Sequence, residues 1–195
     1  MKNDNREIEA KFPIRSVEEI LPKITAAGAV CEQEVRFERN LRFDDRKENL
    51  SKNDQVLRLR DNGGTAVLTY KSDRNSSDTM ADREEIETVV EDFDRTRLIL
   101  ERLGFRTVFI YEKYRSIYAL GPAGIFVDHT PIGYFVEIEG PDEETIRETA
   151  EMIGLDWGTR SGTSYRGLFK RWKKESGFSG RDMTFSDITG PEQAL

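Results

Sequence analysis

Residues 7–11 read Glu-Ile-Glu-Ala-Lys, a short stretch that alternates strictly between charged and apolar side chains. In an extended strand, successive side chains point to opposite faces. The two glutamates and the lysine would therefore share one face, and Ile8 and Ala10 the other. The alternation extends over Arg6–Pro13, and it predicts a β-strand with one fully charged face.

The same two-residue period recurs along the chain and predicts seven more strands. The eight predicted strands are Arg6–Pro13, Val35–Asp44, Gln55–Arg60, Ala66–Lys71, Arg83–Val89, Phe109–Tyr118, Gly124–Asp128 and Tyr134–Gly140. Between and after them, helix-capping residues precede stretches with helical periodicity. Four helices are predicted to begin at Ser16, at Asp92 or Asp94, at Asp142 and at Ser164.

The polar positions of the predicted strands are almost all charged, and they carry both signs. If the apolar faces pack beneath the helices, the charged faces must point inward, and the sheet must curve into a barrel with a polar lumen. The inward set then contains seven acidic residues, Glu7, Glu9, Glu85, Glu87, Asp128, Glu137 and Glu139, and seven basic residues, Lys11, Arg58, Arg60, Lys71, Arg83, Lys113 and Arg115.

Two explanations fit so many paired charges. They could form mutual salt bridges on solvated sheet faces, but such surface pairs contribute only about 0–1 kcal/mol each. Buried in a lumen they would be costly to desolvate unless a ligand compensates them. A triphosphate with Mg²⁺ or Mn²⁺ would do so, because arginine and lysine bind phosphate oxygens and carboxylates bind hard cations.

Length and composition restrict the class of protein. A chain of 195 residues fits one domain, and it can bury roughly 70% of its unfolded surface. Its net charge of −7 argues against a nucleic-acid-binding platform, which usually shows a basic excess. No stretch approaches 18 apolar residues, residues 1–4 lack an apolar signal core, and Cys31 is the single cysteine. We therefore expect a soluble, cytoplasmic protein that binds neither nucleic acid nor membrane.

The order of these charged motifs resembles that of the CYTH domain family, the triphosphate tunnel metalloenzymes. The Glu-x-Glu-x-Lys signature at residues 7–11 opens the resemblance, which covers about residues 4–172. The further matching motifs are Leu57-Arg58-Leu59-Arg60, Leu68-Thr69-Tyr70-Lys71, Arg83-x-Glu85-x-Glu87, Lys113-x-Arg115, Val127-Asp128, Gly133-Tyr134-Phe135-Val136-Glu137-Ile138-Glu139 and Ser164-Tyr165-x-x-Leu168.

The resemblance implies an α+β fold, an eight-stranded antiparallel β-barrel whose lumen binds a triphosphate and whose helices pack outside. It implies a tunnel domain over residues 1–175, followed by a polar and mobile C-terminal tail over residues 176–195. The implied metal ligands are Glu7, Glu9, Asp128, Glu137 and Glu139, with Glu85 or Glu87. The implied phosphate-binding residues are Lys11, Arg58, Arg60, Lys71, Lys113 and Arg115, with Arg83 as a further member or as an ion-pair partner of Glu85 or Glu9. The catalytic residues expected on this basis are Glu9, Lys71 and Glu87.

The resemblance implies a metal-dependent enzyme, with Mg²⁺ or Mn²⁺ as cofactor, and it allows for a homodimer. One alternative is a triphosphatase acting on tripolyphosphate, ATP or thiamine triphosphate, and another is a class IV adenylyl cyclase that forms cyclic AMP. The second strand, residues 37–44, lacks the aspartate–aromatic pattern of many cyclase-like members, which favours hydrolysis. A non-catalytic polyphosphate- or nucleotide-binding module and a purely structural barrel are the remaining alternatives.

Overall fold

The computed structural model describes residues 6–73 and 79–188, and it contains all eight strands that the alternation predicts. Their bounds are β1 (Arg6–Ile14), β2 (Val30–Asp44), β3 (Val56–Asp61), β4 (Ala66–Lys71), β5 (Ala81–Val90), β6 (Arg106–Leu120), β7 (Ala123–Thr130) and β8 (Gly133–Gly140). Strand β2 begins at Val30, five residues before the predicted start, because its first half pairs with the end of β6, where Val30 lies opposite Ala119.

The strands form a closed antiparallel barrel in the order β1-β5-β4-β3-β2-β6-β7-β8, and β8 pairs with β1 to complete the ring. The predicted fold class is therefore confirmed. The order of strands around the barrel differs from the sequence order at β1, which pairs with β5 instead of β2, and at β2, which pairs with β6. As a result β8, β1 and β5 are neighbours on one side of the barrel, and β3, β2 and β6 form the opposite side.

The helices cover the apolar outer faces of the strands. Their bounds are α1 (Val17–Ala26), α2 (Asn49–Lys52), α3 (Phe93–Arg102), α4 (Glu143–Met152), α5 (Tyr165–Ser176) and α6 (Phe185–Ile188). The four predicted helices are all present, each with its capping side chain at Ser16, Asp92, Asp142 or Ser164. Helices α1 and α4 pack over β1, β7 and β8, and α3 packs over β2 and β3. Among the described residues, no helix is long and apolar enough to cross a membrane.

Helix α5 covers one end of the barrel rather than a side. Phe109 and Tyr111 lie on the same face of β6 as the lumen residue Lys113, because they are four and two residues away from it. Phe169 of α5 stacks on Phe109 with ring centroids 5.7 Å apart, and Tyr165 contacts Tyr111 at 6.1 Å. The end of the lumen near these rings is therefore lined by the start of α5.

The segment after α5 packs against the barrel, so the expectation of a mobile tail is wrong for residues 181–188. The amide of Met183 donates to the carbonyl of Ile110, and the amide of Glu112 donates to the carbonyl of Met183. This edge of β6 is open because β7 pairs with β6 only from Tyr114 onward, and exposed backbone groups require partners. Met183 and Phe185 are buried. Residues 189–195 of the predicted tail lie outside the described residues.

Candidate functional site

The lumen of the barrel is a cavity of about 370 Å³ lined mainly by charged side chains. All seven predicted basic residues line it, together with six of the seven predicted acidic residues; Asp128 is the exception. Because the barrel order differs from the sequence order, the two signs are partly separated. The acidic wall, defined as the inward faces of β8, β1 and β5, carries Glu7, Glu9, Glu85, Glu87, Glu137 and Glu139. The basic wall, defined as the inward faces of β3, β2 and β6, carries Arg42, Arg58, Arg60, Lys113 and Arg115.

Three carboxylates of the acidic wall converge on one point. Glu9 of β1 lies directly opposite Glu139 of β8 in the register, and Glu7 precedes Glu9 by two residues on the same face. One oxygen atom from each of the three lies within 4.8 Å of the others. This spacing suits a divalent cation, because such ions bind several carboxylate oxygens at once.

Two lysines lie against this carboxylate cluster. Lys11 donates to Glu9 at 2.6 Å and lies 3.5 Å from Glu137. Lys71, on β4, donates to Glu7 at 2.5 Å and lies 2.9 Å from Glu85. Both lysines have raised pKa values: burial opposes the charge, but the surrounding carboxylates outweigh it. Each therefore stays protonated.

The crowding of negative charge gives the carboxylates of the acidic wall widely different pKa values. Burial, followed by the charges of Glu7, Glu9 and Glu137, raises the pKa of Glu139 to about 8. Burial and a hydrogen bond with Glu7 raise the pKa of Glu85 to about 8 as well. Burial opposes ionisation of Glu7 too, but Lys71 outweighs it and lowers the pKa of Glu7 to about 2. Without a cation, the acidic wall therefore holds protons at neutral pH.

This proton retention predicts that the metal-free protein loses stability as the pH rises. Glu85 and Glu139 release their protons near pH 4.5 in the unfolded chain and near pH 8 in the folded one. Their contribution to the free energy of unfolding is full below pH 4.5 and is lost as the pH rises through about 8. We expect the melting temperature measured in EDTA to fall between pH 5 and pH 8, and Mg²⁺ to flatten this dependence.

The matched variant for this measurement is Glu139→Gln, which removes one of the two titrations. It should reduce the slope of melting temperature against pH in EDTA. A melting temperature that rises over this range in EDTA would contradict the assignment of retained protons to the acidic wall.

Glu87 of the acidic wall contacts two arginines of the basic wall. Arg58 donates to Glu87 at 3.0 Å and to Thr69 at 3.1 Å, and Arg60 lies 3.6 Å from Glu87. Thr69 also donates to Glu87, at 2.6 Å. The two guanidinium groups are therefore oriented by Glu87, one of the residues predicted to be catalytic. Arg83, on β5, is buried and lies 3.9 Å from Asp54, and its expected role at the site stays a prediction.

Asp128 lies behind the basic wall instead of lining the cavity. It is fully buried, and each of its two oxygens accepts a hydrogen bond of 2.6 Å from the guanidinium group of Arg115. Lys113 also donates to it at 3.1 Å, and the hydroxyl of Tyr165 at 2.5 Å. Asp128 therefore orients two basic-wall residues, and its expected role as a metal ligand stays a prediction. Arg115 additionally contacts Glu137 at 2.8 Å.

Several residues that line the cavity are not in the predicted inward set. Glu38 and Arg42 enter from β2, and Tyr111, Tyr165 and Arg166 line the end covered by α5. The alternation in β2 was a usable signal, because Glu38, Asn40 and Arg42 are spaced two apart. At the start of α5 the signal was the Ser164-Tyr165 motif of the family resemblance, since helical periodicity alone does not reveal that a helix start meets the lumen.

Comparisons with known proteins agree with this architecture. A sequence model of a family described as "CYTH domain" matches residues 5–157. A protein of Methanocaldococcus jannaschii, named as a candidate adenylate cyclase, is 28% identical over 134 residues, which cover 68% of this chain and 75% of the relative.

Two solved structures share the fold. One is from Vibrio parahaemolyticus and is also named as a candidate adenylate cyclase. It has a TM-score of 0.73 at 20% identity, and the matched region covers 84% of this chain and 97% of the Vibrio chain. The other is a candidate adenylyl cyclase from Hippeastrum that is described as having a dominant triphosphatase activity. It has a TM-score of 0.60 at 18% identity, and the matched region covers 85% of this chain and 95% of the Hippeastrum chain.

Proposed function

The chain belongs to the CYTH domain family, and from this premise we propose that it is a divalent-metal-dependent triphosphatase. It would cleave a phosphoanhydride bond of an inorganic, nucleoside or thiamine triphosphate. The observation that carries the proposal is the cluster of Glu7, Glu9 and Glu139, with oxygens within 4.8 Å of one another, in the same cavity as the basic wall. Such a lumen complements a polyanion together with a cation.

The carboxylate cluster fits Mg²⁺ or Mn²⁺, because hard cations prefer carboxylate oxygen. The raised pKa of Glu139 supports this fit, since it comes from burial and from the charges of Glu7, Glu9 and Glu137, and a bound cation would offset both. Glu7, Glu9 and Glu139 would hold the ion, with Glu85 and Glu137 as neighbouring carboxylates. When bound, such an ion neutralises charge on the phosphate oxygens as the P–O bond breaks.

The basic residues bind and orient the phosphate chain. Arginine forks match two phosphate oxygens at once, and lysine acts as a point charge. Arg58, Arg60, Lys113 and Arg115 would take the chain on the basic wall. Lys11 and Lys71 would contact it from the side of the carboxylate cluster. In phosphoryl transfer, positioning and charge stabilisation supply most of the rate.

Two glutamates of β5 have different roles in this proposal. Glu87 orients Arg58 and Arg60 through the contacts described above, so its effect on catalysis runs through these arginines. Glu85, next to Lys71 at 2.9 Å, has a pKa of about 8, so it would accept a proton from an attacking water only as the pH rises toward 8 or once a bound cation lowers that pKa. Lys71 keeps this carboxylate and that of Glu7 in place.

Adenylyl cyclase activity is the second candidate, and the names of the relatives favour it. In that reaction the ribose 3′-oxygen attacks the α-phosphorus and pyrophosphate leaves, whereas in hydrolysis water attacks the terminal phosphorus. The polar row that β2 presents inward, Glu38, Asn40 and Arg42, supports hydrolysis, because a nucleobase is usually held by apolar or aromatic groups.

To decide between the two reactions, the purified protein is incubated with tripolyphosphate, ATP or thiamine triphosphate, each with Mg²⁺ or Mn²⁺. Orthophosphate and cyclic AMP are measured in the same samples, and EDTA serves as the metal-free control. We expect metal-dependent release of orthophosphate. Cyclic AMP without orthophosphate would assign the cyclase reaction instead. Tight triphosphate binding with neither product would leave a binding module and refute both enzyme proposals.

A further inference from the structure

The first residue of α5, Tyr165, reaches the interior of the barrel, and the proposed function assigns it no role. Its side chain is buried and lines the cavity. Ser164 caps the helix by accepting from the amide of Gly167 at 3.4 Å. The segment before α5 is paired with β1, because the backbone amides of Ser161 and Lys11 each donate to the carbonyl of the other residue. Tyr165 is therefore held against the lumen by a helix cap and by a backbone pairing.

The ring of Tyr165 lies next to two lysines that reach the lumen from different strands. The Nζ atom of Lys11 on β1 is 5.5 Å from the ring centroid, and the Nζ atom of Lys113 on β6 is 5.1 Å from it. A cation within about 6 Å of the centroid is attracted by the negative face of an aromatic ring. Strands β8 and β7 separate β1 from β6 in the barrel, so no strand pairing fixes the distance between these two ammonium groups. Tyr165 bridges that distance.

The orientation of this ring is fixed by its neighbours. The hydroxyl of Tyr165 donates to Asp128 of β7 at 2.5 Å. Phe135 of β8 meets the ring edge-on with centroids 5.7 Å apart, and the ring of Tyr111 on β6 lies at 6.1 Å. A buried ring with packed neighbours and a bonded hydroxyl has few rotamers available. The position of α5 therefore determines where the ring meets the two lysines.

Each of the two lysines also contacts a carboxylate that competes with phosphate for its charge. Lys11 lies 2.6 Å from Glu9, and Lys113 lies 3.1 Å from Asp128. A lysine carries its charge on a flexible four-carbon stem, so a further contact is needed to hold the ammonium group at one position. The neutral ring of Tyr165 supplies such a contact without adding a negative charge that would repel a phosphate chain.

We propose that Tyr165 is a positioning residue of the triphosphate site, whose ring holds the ammonium groups of Lys11 and Lys113 at the separation at which both bind one phosphate chain. This inference rests on the proposed function and states how α5 sets the affinity of that site. Two lysines that are already ordered lose less side-chain entropy when the anion binds. The expected signature of this role is a change in affinity and in KM, with a smaller change in kcat.

The test measures KM and kcat for tripolyphosphate with Mg²⁺, and tripolyphosphate affinity by calorimetry in EDTA. Tyr165→Leu removes the ring and should raise KM and weaken the affinity by about tenfold, because both ring contacts are lost. Its kcat should change by less than about threefold. Tyr165→Phe keeps the ring, and Asp128 keeps its bonds from Arg115 and Lys113. This variant should therefore keep KM and affinity within about threefold of the wild type.

Trp172→Leu is the matched control on the same helix. Trp172 stacks on Phe169 with centroids 6.0 Å apart and does not line the cavity, so its loss should lower the melting temperature and leave KM unchanged. A double-mutant cycle tests whether Tyr165 acts through the lysines. In a Lys113→Met background, Tyr165→Leu should weaken tripolyphosphate binding by only about threefold, because one of the two ring contacts is already absent.

The possible results separate the two proposals. Unchanged KM and affinity in Tyr165→Leu, or an equal loss in Tyr165→Phe or in Trp172→Leu, would overturn the positioning role and leave the triphosphate site standing. A wild-type protein that neither hydrolyses tripolyphosphate nor binds it, with or without Mg²⁺, would overturn the proposed function as well. Thermal melting checks the fold of each variant. If Tyr165→Leu does not fold, Tyr165→Met replaces it, because methionine fills irregular buried space without a ring.

Discussion

Replacing Glu9 with glutamine is expected to lower kcat for triphosphate hydrolysis by about 10²–10³-fold. Glu9 belongs to the cluster with Glu7 and Glu139, so the variant removes one charge from the proposed cation site. The amide keeps an oxygen that can accept from Lys11, and Lys11 also retains Glu137 at 3.5 Å. Steady-state rates at several Mg²⁺ concentrations measure the effect, and a higher Mg²⁺ requirement should accompany the loss.

The fold of Glu9→Gln should survive, because the substitution also removes repulsion within the acidic wall. We expect its melting temperature in EDTA to change little and the pKa of Glu139 to fall. The matched control is Glu84→Gln, an exposed glutamate on β5 that should leave the rate unchanged. If Glu9→Gln hydrolyses triphosphate at the wild-type rate with the same Mg²⁺ requirement, the carboxylate cluster is not the cation site.

Replacing Asp128 with asparagine should have the largest effect on stability, about 3 kcal/mol or more, because the variant leaves buried cations without their partner. Asp128 is fully buried and accepts from Arg115, Lys113 and Tyr165. Arg115 keeps Glu137 at 2.8 Å and Lys113 keeps Glu38 at 3.7 Å, which limits the loss. For a chain of this length, the loss corresponds to a fall in melting temperature of about 6–12 °C.

Thermal and urea unfolding of the two proteins measure this difference. Asp94→Asn is the control, because the Asp94 side chain is 82% exposed and its ion pair with Arg97 is on the surface; it should change the free energy of unfolding by about 0.5 kcal/mol or less. Asp128→Asn should also raise KM, since Lys113 and Arg115 lose their common anchor. A loss in Asp128→Asn below about 1 kcal/mol would mean that the basic wall is oriented by other contacts.

Much of the site was accessible from the sequence, because the side-chain period of a strand is two. Alternation assigned Glu7, Glu9 and Lys11 to one face without any knowledge of their neighbours. The same alternation places Arg42 on the inward face of β2, since it is spaced two residues from Asn40 and four from Glu38. Asp128 was assigned to the correct face of its strand. Its position behind Lys113 and Arg115 depends on side-chain packing, which the alternation of residues along a strand does not predict. The C-terminal segment was predicted as a mobile tail because its polar composition hides Met183, which pairs with an edge left open by β7.

Residue order alone predicts the eight strands, their charged faces and a polar lumen, because each of these depends on local geometry along one strand. The separation of acidic and basic walls depends instead on ring order, and β5 reaches its place between β1 and β4 only when the barrel closes. The convergence of Glu9 and Glu139, the position of Arg42 opposite Arg58, and the burial of the Asn40 amide without a hydrogen-bond partner among the described residues all arise between strands. Such contacts are set by register and closure, because these bring residues far apart in the chain within a few ångströms of one another.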